Sequence, residues 1–159
     1  MTAARRGIIA LLTDFSTADS YVAEMKGVIL SALPEATLVD VTHSIPPGDV
    51  RSGAHVLARV WRRFPPGTVH LAVVDPGVGT TRAALAIAAH DRFFVGPDNG
   101  LFTPVLGDAS AIVELPTPPG ASPTATSCGV VTMSAAETCT DCTSESWASP
   151  VPGGMSTMK

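Results

Sequence analysis

The chain reads as an α/β protein, with a mostly parallel central sheet flanked by helices. Three observations predict this. Short continuous apolar runs such as Ile8-Ile9-Ala10-Leu11-Leu12 have the length and composition of strands buried on both faces. Two of the gaps between such runs carry apolar residues at helical period. The runs also end in small polar or acidic residues, as at Thr13-Asp14, Thr42-His43-Ser44 and Asp75-Pro76-Gly77. Strands alternating with amphipathic helices in this way imply βαβ units.

The first strand is the run 8–12, ended by Thr13-Asp14. Ser16-Thr17-Ala18-Asp19-Ser20 then offers turn and helix-capping residues, and Tyr21 to Leu33 follows as a helix. Its apolar face is Val22, Met25, Val28, Ile29 and Ala32, and Pro34 stops it. Ala36 to Val41 forms the second strand. Pro46-Pro47-Gly48-Asp49 starts a second helix from about Val50 to Arg63, with Ala54, Leu57, Ala58 and Trp61 on one face, before Pro65-Pro66-Gly67 breaks it. Val69 to Val74 is the third strand, Ala83 to Ala89 the fourth and Arg92 to Val95 the fifth. Ile112 to Leu115 has the character of a sixth. This places the domain at residues 7–119. Residues 120–159 differ in kind: 14 of the 40 are Ser or Thr, four are charged and one is aromatic, which predicts a poorly ordered tail.

At 159 residues the chain suits one domain with a core of its own. A net charge of -4 with scattered charges argues against nucleic acid or an anionic membrane as partner. The densest basic group, Arg59, Arg62 and Arg63 beside Trp61, reads as the solvated end of a helix. No apolar run reaches the ~18–20 residues of a membrane span. The apolar run after Arg5-Arg6 stops at Thr13-Asp14, short of a signal peptide's core, so a cytoplasmic location is expected. All three cysteines, Cys128, Cys139 and Cys142, lie in the tail. Cys139-x-x-Cys142 has neither a second pair nor a histidine after His90 to complete a zinc site, so no metal is expected.

In a sheet of this kind ligands sit outside the carboxyl ends of the strands. Asp14, His43-Ser44 and Asp75 fall at such ends, and Asp98-Asn99 follows another strand. A carboxylate at Asp14 can accept two hydrogen bonds from a vicinal diol such as ribose, or it can serve as a turn or cap aspartate. His43 suits either a ligand contact or a structural role. His55, His70 and His90 fall within elements and draw no assignment. Asp75 and Arg82 frame a turn whose Gly77 and Gly79 permit close backbone approach to a ligand. A tight turn with a surface ion pair fits the same residues. The loop lacks the Gly-Lys-Ser/Thr end of a phosphate-binding P-loop and the glycine spacing of a dinucleotide fingerprint.

The string Leu12-Thr13-Asp14-Phe15-Ser16-Thr17, with Asp19 and Tyr21-Val22-Ala23-Glu24-Met25-Lys26-Gly27 after it, resembles the start of the S-adenosylmethionine hydroxide adenosyltransferases. These are relatives of the enzymes that fluorinate or chlorinate S-adenosylmethionine. Asp40 to Ile45, Val74 to Gly79 and Gly96 to Leu101 match the same family in the same order, four motifs between Leu12 and Leu101. The resemblance implies attack of water or hydroxide on the ribose 5′ carbon of S-adenosylmethionine, giving adenosine and L-methionine. S-adenosylmethionine is then the substrate, and no cofactor is implied. Asp75 and Arg82 match the family's catalytic Asp and the Arg seven residues later. The halogenating relatives lack both, which favours hydrolysis. Substrate binding falls to Asp14 (the family's ribose-binding aspartate), Tyr21, His43, Ser44, Gly77, Val78, Asp98 and Asn99. The family's assembly is a homotrimer whose sites lie between one subunit's N-terminal domain and its neighbour's C-terminal domain.

The pattern breaks after Ser122-Pro123-Thr124. A Thr-Phe-His-Gly-Arg-Asp-like segment bearing a third catalytic residue is expected there, but Ala125-Thr126-Ser127-Cys128-Gly129 follows, and the family's C-terminal β-barrel is absent. This leaves two alternatives to hydrolysis beside it, a fragment that binds adenosine or S-adenosylmethionine without turnover, and a halogenase. The abrupt change of composition predicts a frameshifted or replaced C-terminus. Reading the gene past codon 124 in its other frames should uncover a His-Gly-Arg-Asp and barrel sequence; finding neither overturns this.

Overall fold

The computed structural model describes residues 7–77, 80 and 82–116, so the tail and its cysteines lie outside the described residues. The elements are β1 (Ile8–Thr13), α1 (Tyr21–Ala32), β2 (Thr37–Thr42), α2 (Val50–Val60), a 3₁₀ turn (Trp61–Arg63), β3 (Val69–Val73), β4 (Ala84–Ala89), β5 (Arg92–Pro97), α3 (Thr103–Leu106) and β6 (Ala109–Leu115). One six-stranded sheet has the order β2-β1-β3-β5-β4-β6. β1 pairs in parallel with both β2 and β3, and β3 pairs in parallel with β5. β4 alone runs the other way, antiparallel to β5 and β6. The mostly parallel α/β class is therefore the one the sequence predicts.

Alternate residues of the central strands face two separate cores, as the period of two requires. Ile9 and Leu11 of β1, with Val69, Leu71 and Val73 of β3, pack against Met25 and Ile29 of α1. Leu12 of β1 and Ala72 of the third strand, with Val74 just after it, face Leu57 of α2, Trp61, and Leu101, Phe102 and Val105 around α3. The helices thus cover opposite faces of the sheet. Both faces of β1 and β3 being buried explains why these strands read as continuous apolar runs rather than alternating ones.

Three features depart from the sequence reading. The second helix stops its α-helical turns at Val60 and tightens into the 3₁₀ turn. α3, only four residues long with Pro104 in its first turn, was not foreseen. β6 begins at Ala109, three residues before the β-branched Ile112 that signalled it. The reversal of β4 has a local cause. His90 and Asp91 join β4 to β5 with φ of 50° and 57°, the pair of left-handed residues that a tight two-residue hairpin needs.

His70 lies on β3 inside the α2-side core, its ring stacked on Phe94 at 5.0 Å and edge-on to Phe64 at 5.2 Å. Burial, aided by the positive charge of Arg92, pushes its pKa down from 6.5 to about 4. The unfolded chain therefore takes up a proton that the folded chain refuses between those two values. The stability that neutral His70 confers is complete above pH 6.5 and lost as pH falls toward 4, a change of about 3 kcal/mol. Urea unfolding at pH 7.5 and pH 4 should show the wild type losing that much more stability than His70→Phe. Equal losses in the two proteins would rule out His70 as the group responsible.

Candidate functional site

The four parallel strands β1, β2, β3 and β5 all release their loops at one edge of the sheet. The chain leaves β1 through α1 to β2 on one side, then returns through α2 to β3 on the other. The connections diverge between β1 and β3, the point at which sheets of this kind take ligands outside the carboxyl ends of their strands. Asp14 follows β1 there, and Asp75 lies two residues past the end of β3.

Asp14 directly follows β1, and its backbone N–H donates to the Val73 carbonyl at 3.3 Å, extending the β1–β3 pairing by one step. Its Oδ2 accepts the Gly48 N–H at 2.7 Å. Gly48 comes from the Pro-Pro-Gly turn before α2, with φ of 71°, and a Cβ there would lie 3.0 Å from the Pro76 Cβ. The turn can press between Asp14 and the β3 loop only because position 48 has no side chain. Asp49, next along, caps α2 by accepting from the Ser52 N–H at 3.0 Å and the Ser52 hydroxyl at 2.6 Å. Those bonds hold its carboxyl below the ordinary carboxylate value.

Asp75 is the best-braced acid of the edge. Its side chain is 8% exposed, and Oδ1 lies 3.1 Å from Arg82 Nε. The same oxygen accepts the Gly77 N–H at 2.8 Å and faces the Asn99 amide at 3.4 Å. Asn99 is itself fixed, donating to the Val74 carbonyl at 2.8 Å and accepting the Leu101 N–H at 3.1 Å. Arg82 Nη1 donates to the Asp98 carbonyl at 3.2 Å. A Cβ on Gly77 would sit 2.5 Å from Arg82 Nη2, so the guanidinium lies against bare backbone. Among the described residues this leaves Asp75 Oδ2 as an unused acceptor and Arg82 Nη2 as an unused donor. Asp14 Oδ1 is likewise without a hydrogen bond there.

The other sequence-predicted residues fall as follows. Tyr21, the first residue of α1, is 61% exposed, its ring 6.3 Å from that of Phe15. Ser44 is exposed, with its N–H on Thr42 Oγ1 at 3.1 Å. The His43 ring is buried, its Nδ1 2.8 Å from Thr13 Oγ1. The Asp98 side chain is exposed. Val78 lies outside the described residues. Gly48 was missed by sequence reasoning; its Pro-Pro-Gly setting marks a turn but gives no hint that its amide meets an aspartate 34 positions earlier. Among the described residues no group of three His, Cys, Asp or Glu side chains is placed to hold a metal ion, and no helix is long and apolar enough to cross a membrane.

Residues 9–146 match the sequence model of the SAM hydroxide adenosyltransferase N-terminal domain, SAM being S-adenosyl-L-methionine. Over 110 residues the chain is 52% identical to the (R)-S-adenosyl-L-methionine hydrolase of Salinispora tropica, an alignment covering 67% of this chain and 42% of that one. It is 34% identical over 128 residues to the fluorinase of Nocardia brasiliensis, covering 66% and 43%. A crystal structure of a conserved hypothetical protein from Thermus thermophilus superposes with a TM-score of 0.68 at 39% identity, over 82% of this chain and 52% of that one. The chain thus spans about two fifths of the length of the curated relatives it matches.

The contact between Gly77 and the guanidinium gives a direct check on this geometry. Gly77→Ala meets only the far end of a flexible side chain, so the protein should stay folded, with stability changed by about 1 kcal/mol or less. The Arg82 Nε–H resonance should nonetheless move in an amide-correlation NMR spectrum, as the guanidinium is pushed off Asp75. An unmoved resonance would contradict the packing of Arg82 on Gly77.

Proposed function

Because the chain belongs to the S-adenosylmethionine hydroxide adenosyltransferase family through its N-terminal domain, we propose that its loop cluster directs water onto the ribose 5′ carbon of S-adenosylmethionine. The products are adenosine and L-methionine. The observation that carries this reading is the Asp75–Arg82 pair, 3.1 Å apart at the carboxyl edge of the sheet, with one acceptor and one donor left over among the described residues. A water held by that donor and acceptor has its lone pair fixed and its proton directed to a carboxylate. The neighbouring cation favours the developing hydroxide.

The water oxygen forms a bond to the 5′ carbon as the carbon–sulfur bond breaks. The bonding electrons go to sulfur, turning the sulfonium into the neutral thioether of methionine, and the water proton passes to Asp75 and then to solvent. Charge balances without a general acid, because the leaving group needs no proton. Asp14, with Oδ1 available, is the residue to accept the ribose hydroxyls. Tyr21, Ser44, Asp98 and the Gly77-Val78 backbone are proposed to line the remaining substrate contacts. Water is preferred to halide because a carboxylate at this position repels an anionic nucleophile.

A second reading is that the site binds S-adenosylmethionine or adenosine without turnover. Incubating the chain with S-adenosylmethionine in ¹⁸O-water separates the two. Hydrolysis yields methionine and adenosine labelled at the 5′ oxygen, with Asp75→Asn and Arg82→Ala each slower by about a hundredfold or more. Calorimetric binding without adenosine supports the second reading, and a 5′-halonucleoside in chloride or fluoride buffer replaces hydrolysis by halogenation. Failure to bind at all overturns every one of these readings.

A further inference from the structure

The turn that carries Asp14 is held from outside its own strand, and one residue does most of the holding. His43 follows β2, yet it makes two bonds to the β1 turn. Its ring Nδ1 lies 2.8 Å from Thr13 Oγ1, and its carbonyl accepts the Ser16 N–H at 2.8 Å. Thr13 Oγ1 also accepts the Phe15 N–H at 3.2 Å. Residues 13, 15 and 16 are therefore all tied to His43, directly or through the Thr13 hydroxyl, with Asp14 in their midst.

The turn needs such restraint. Ser16 has φ of 62°, in the left-handed region that a residue with a side chain occupies only at a cost. Behind the ring, Nε2 stands 3.2 Å from Asp40 Oδ1, an ion-pair separation without hydrogen-bond alignment, and Asp40 Oδ2 accepts from Lys26 Nζ of α1 at 2.7 Å. Partial burial raises the Asp40 carboxyl, but the bond from Lys26 and the close approach of the His43 ring outweigh it and hold the group below its ordinary value. An ionised Asp40 beside Nε2 favours the ring proton on that nitrogen, which leaves Nδ1 to accept the Thr13 hydroxyl proton. The order carboxylate, imidazole, hydroxyl has the form of a nucleophilic triad, but Thr13 is wholly buried and no substrate atom can meet it.

We propose that His43 is a positioning residue for Asp14: through Thr13 and Ser16 it fixes the turn that aims the carboxylate at the diol of a bound nucleoside, without touching the ligand. This rests on the ribose-binding role proposed for Asp14.

Calorimetric titration of the whole chain with adenosine and with 2′,3′-dideoxyadenosine, which lacks the diol, tests it. Asp14→Asn should weaken adenosine by tenfold or more and leave the dideoxy compound unchanged. His43→Ala and Thr13→Val should each weaken adenosine three- to tenfold, again sparing the dideoxy compound, and the double variant should lose little more than either alone. His43→Asn, whose short amide reaches the Nδ1 position, should recover most of the loss. Equal weakening of both ligands by His43→Ala would mean a general structural role and overturn the proposal, as would unchanged adenosine binding. Thr13→Val, which keeps shape and volume, decides the matter if His43→Ala does not fold. If Asp14→Asn leaves adenosine binding intact, the ribose reading itself fails, and the positioning role with it.

Discussion

Parallel pairing of β1 with β3, in register from Ile9 against Val69 to Thr13 against Val73, sets where every loop of the site begins. Each strand is covered on both faces, so neither can slip by one residue without turning Leu11 or Leu71 from one core to the other. With register fixed, Asp14 leaves the sheet level with Val74, one residue before Asp75. The Asp14 N–H on the Val73 carbonyl is the last rung of that ladder, and the loops of the candidate site follow where the rungs end. The Gly48 turn and the Asn99 loop then close on the two acids from the β2 and β5 sides.

Charge is distributed unevenly between the two acids, and the difference suits different tasks. Asp75 is nearly buried and meets a guanidinium, a backbone N–H and an amide at one oxygen. A carboxylate so engaged at Oδ1 keeps its orientation while Oδ2 remains available. Among the described residues Asp14 has no cation bonded to it and one backbone donor. It is a neutral-donor acceptor, which is the character a sugar hydroxyl meets well. Two acids on one edge, one paired with arginine and one not, thus offer the two characters that the proposed ribose-holding and water-activating roles call for.

The strand ends were legible because physics marks them locally. An apolar run buried on both faces must stop where an acid appears, so Ile8 to Leu12 and Val69 to Val74 pointed to Asp14 and Asp75 from the sequence alone. Contacts between distant segments leave no such mark. The His43 ring meets Thr13 30 positions away, and the residue type at 43 is the same whether that ring faces a ligand or a threonine. The His90-Asp91 turn was hidden for another reason. Asn-Gly or Asp-Gly would have signalled a tight hairpin, whereas His-Asp adopts the same left-handed pair only because β4 and β5 hold it there. α3 is too short for any period to show.

That hairpin matters to the site more than its place at the far edge suggests. Only seven positions separate Asp75 from Arg82, too few for the crossover of a dozen or more residues that a parallel strand needs. The strand after Asp75 must therefore start at the edge where β3 ended and run back down the sheet. Running antiparallel, β4 brings its amino end beside the carboxyl end of β5, with Ala84 opposite Pro97. The Asp98 N–H then meets the Ala83 carbonyl at 2.9 Å, and the Arg82 guanidinium meets the Asp98 carbonyl. A parallel fourth strand would have placed the residue before it at the opposite edge. The one reversed strand in the sheet is thus what returns an arginine to the acid that precedes it.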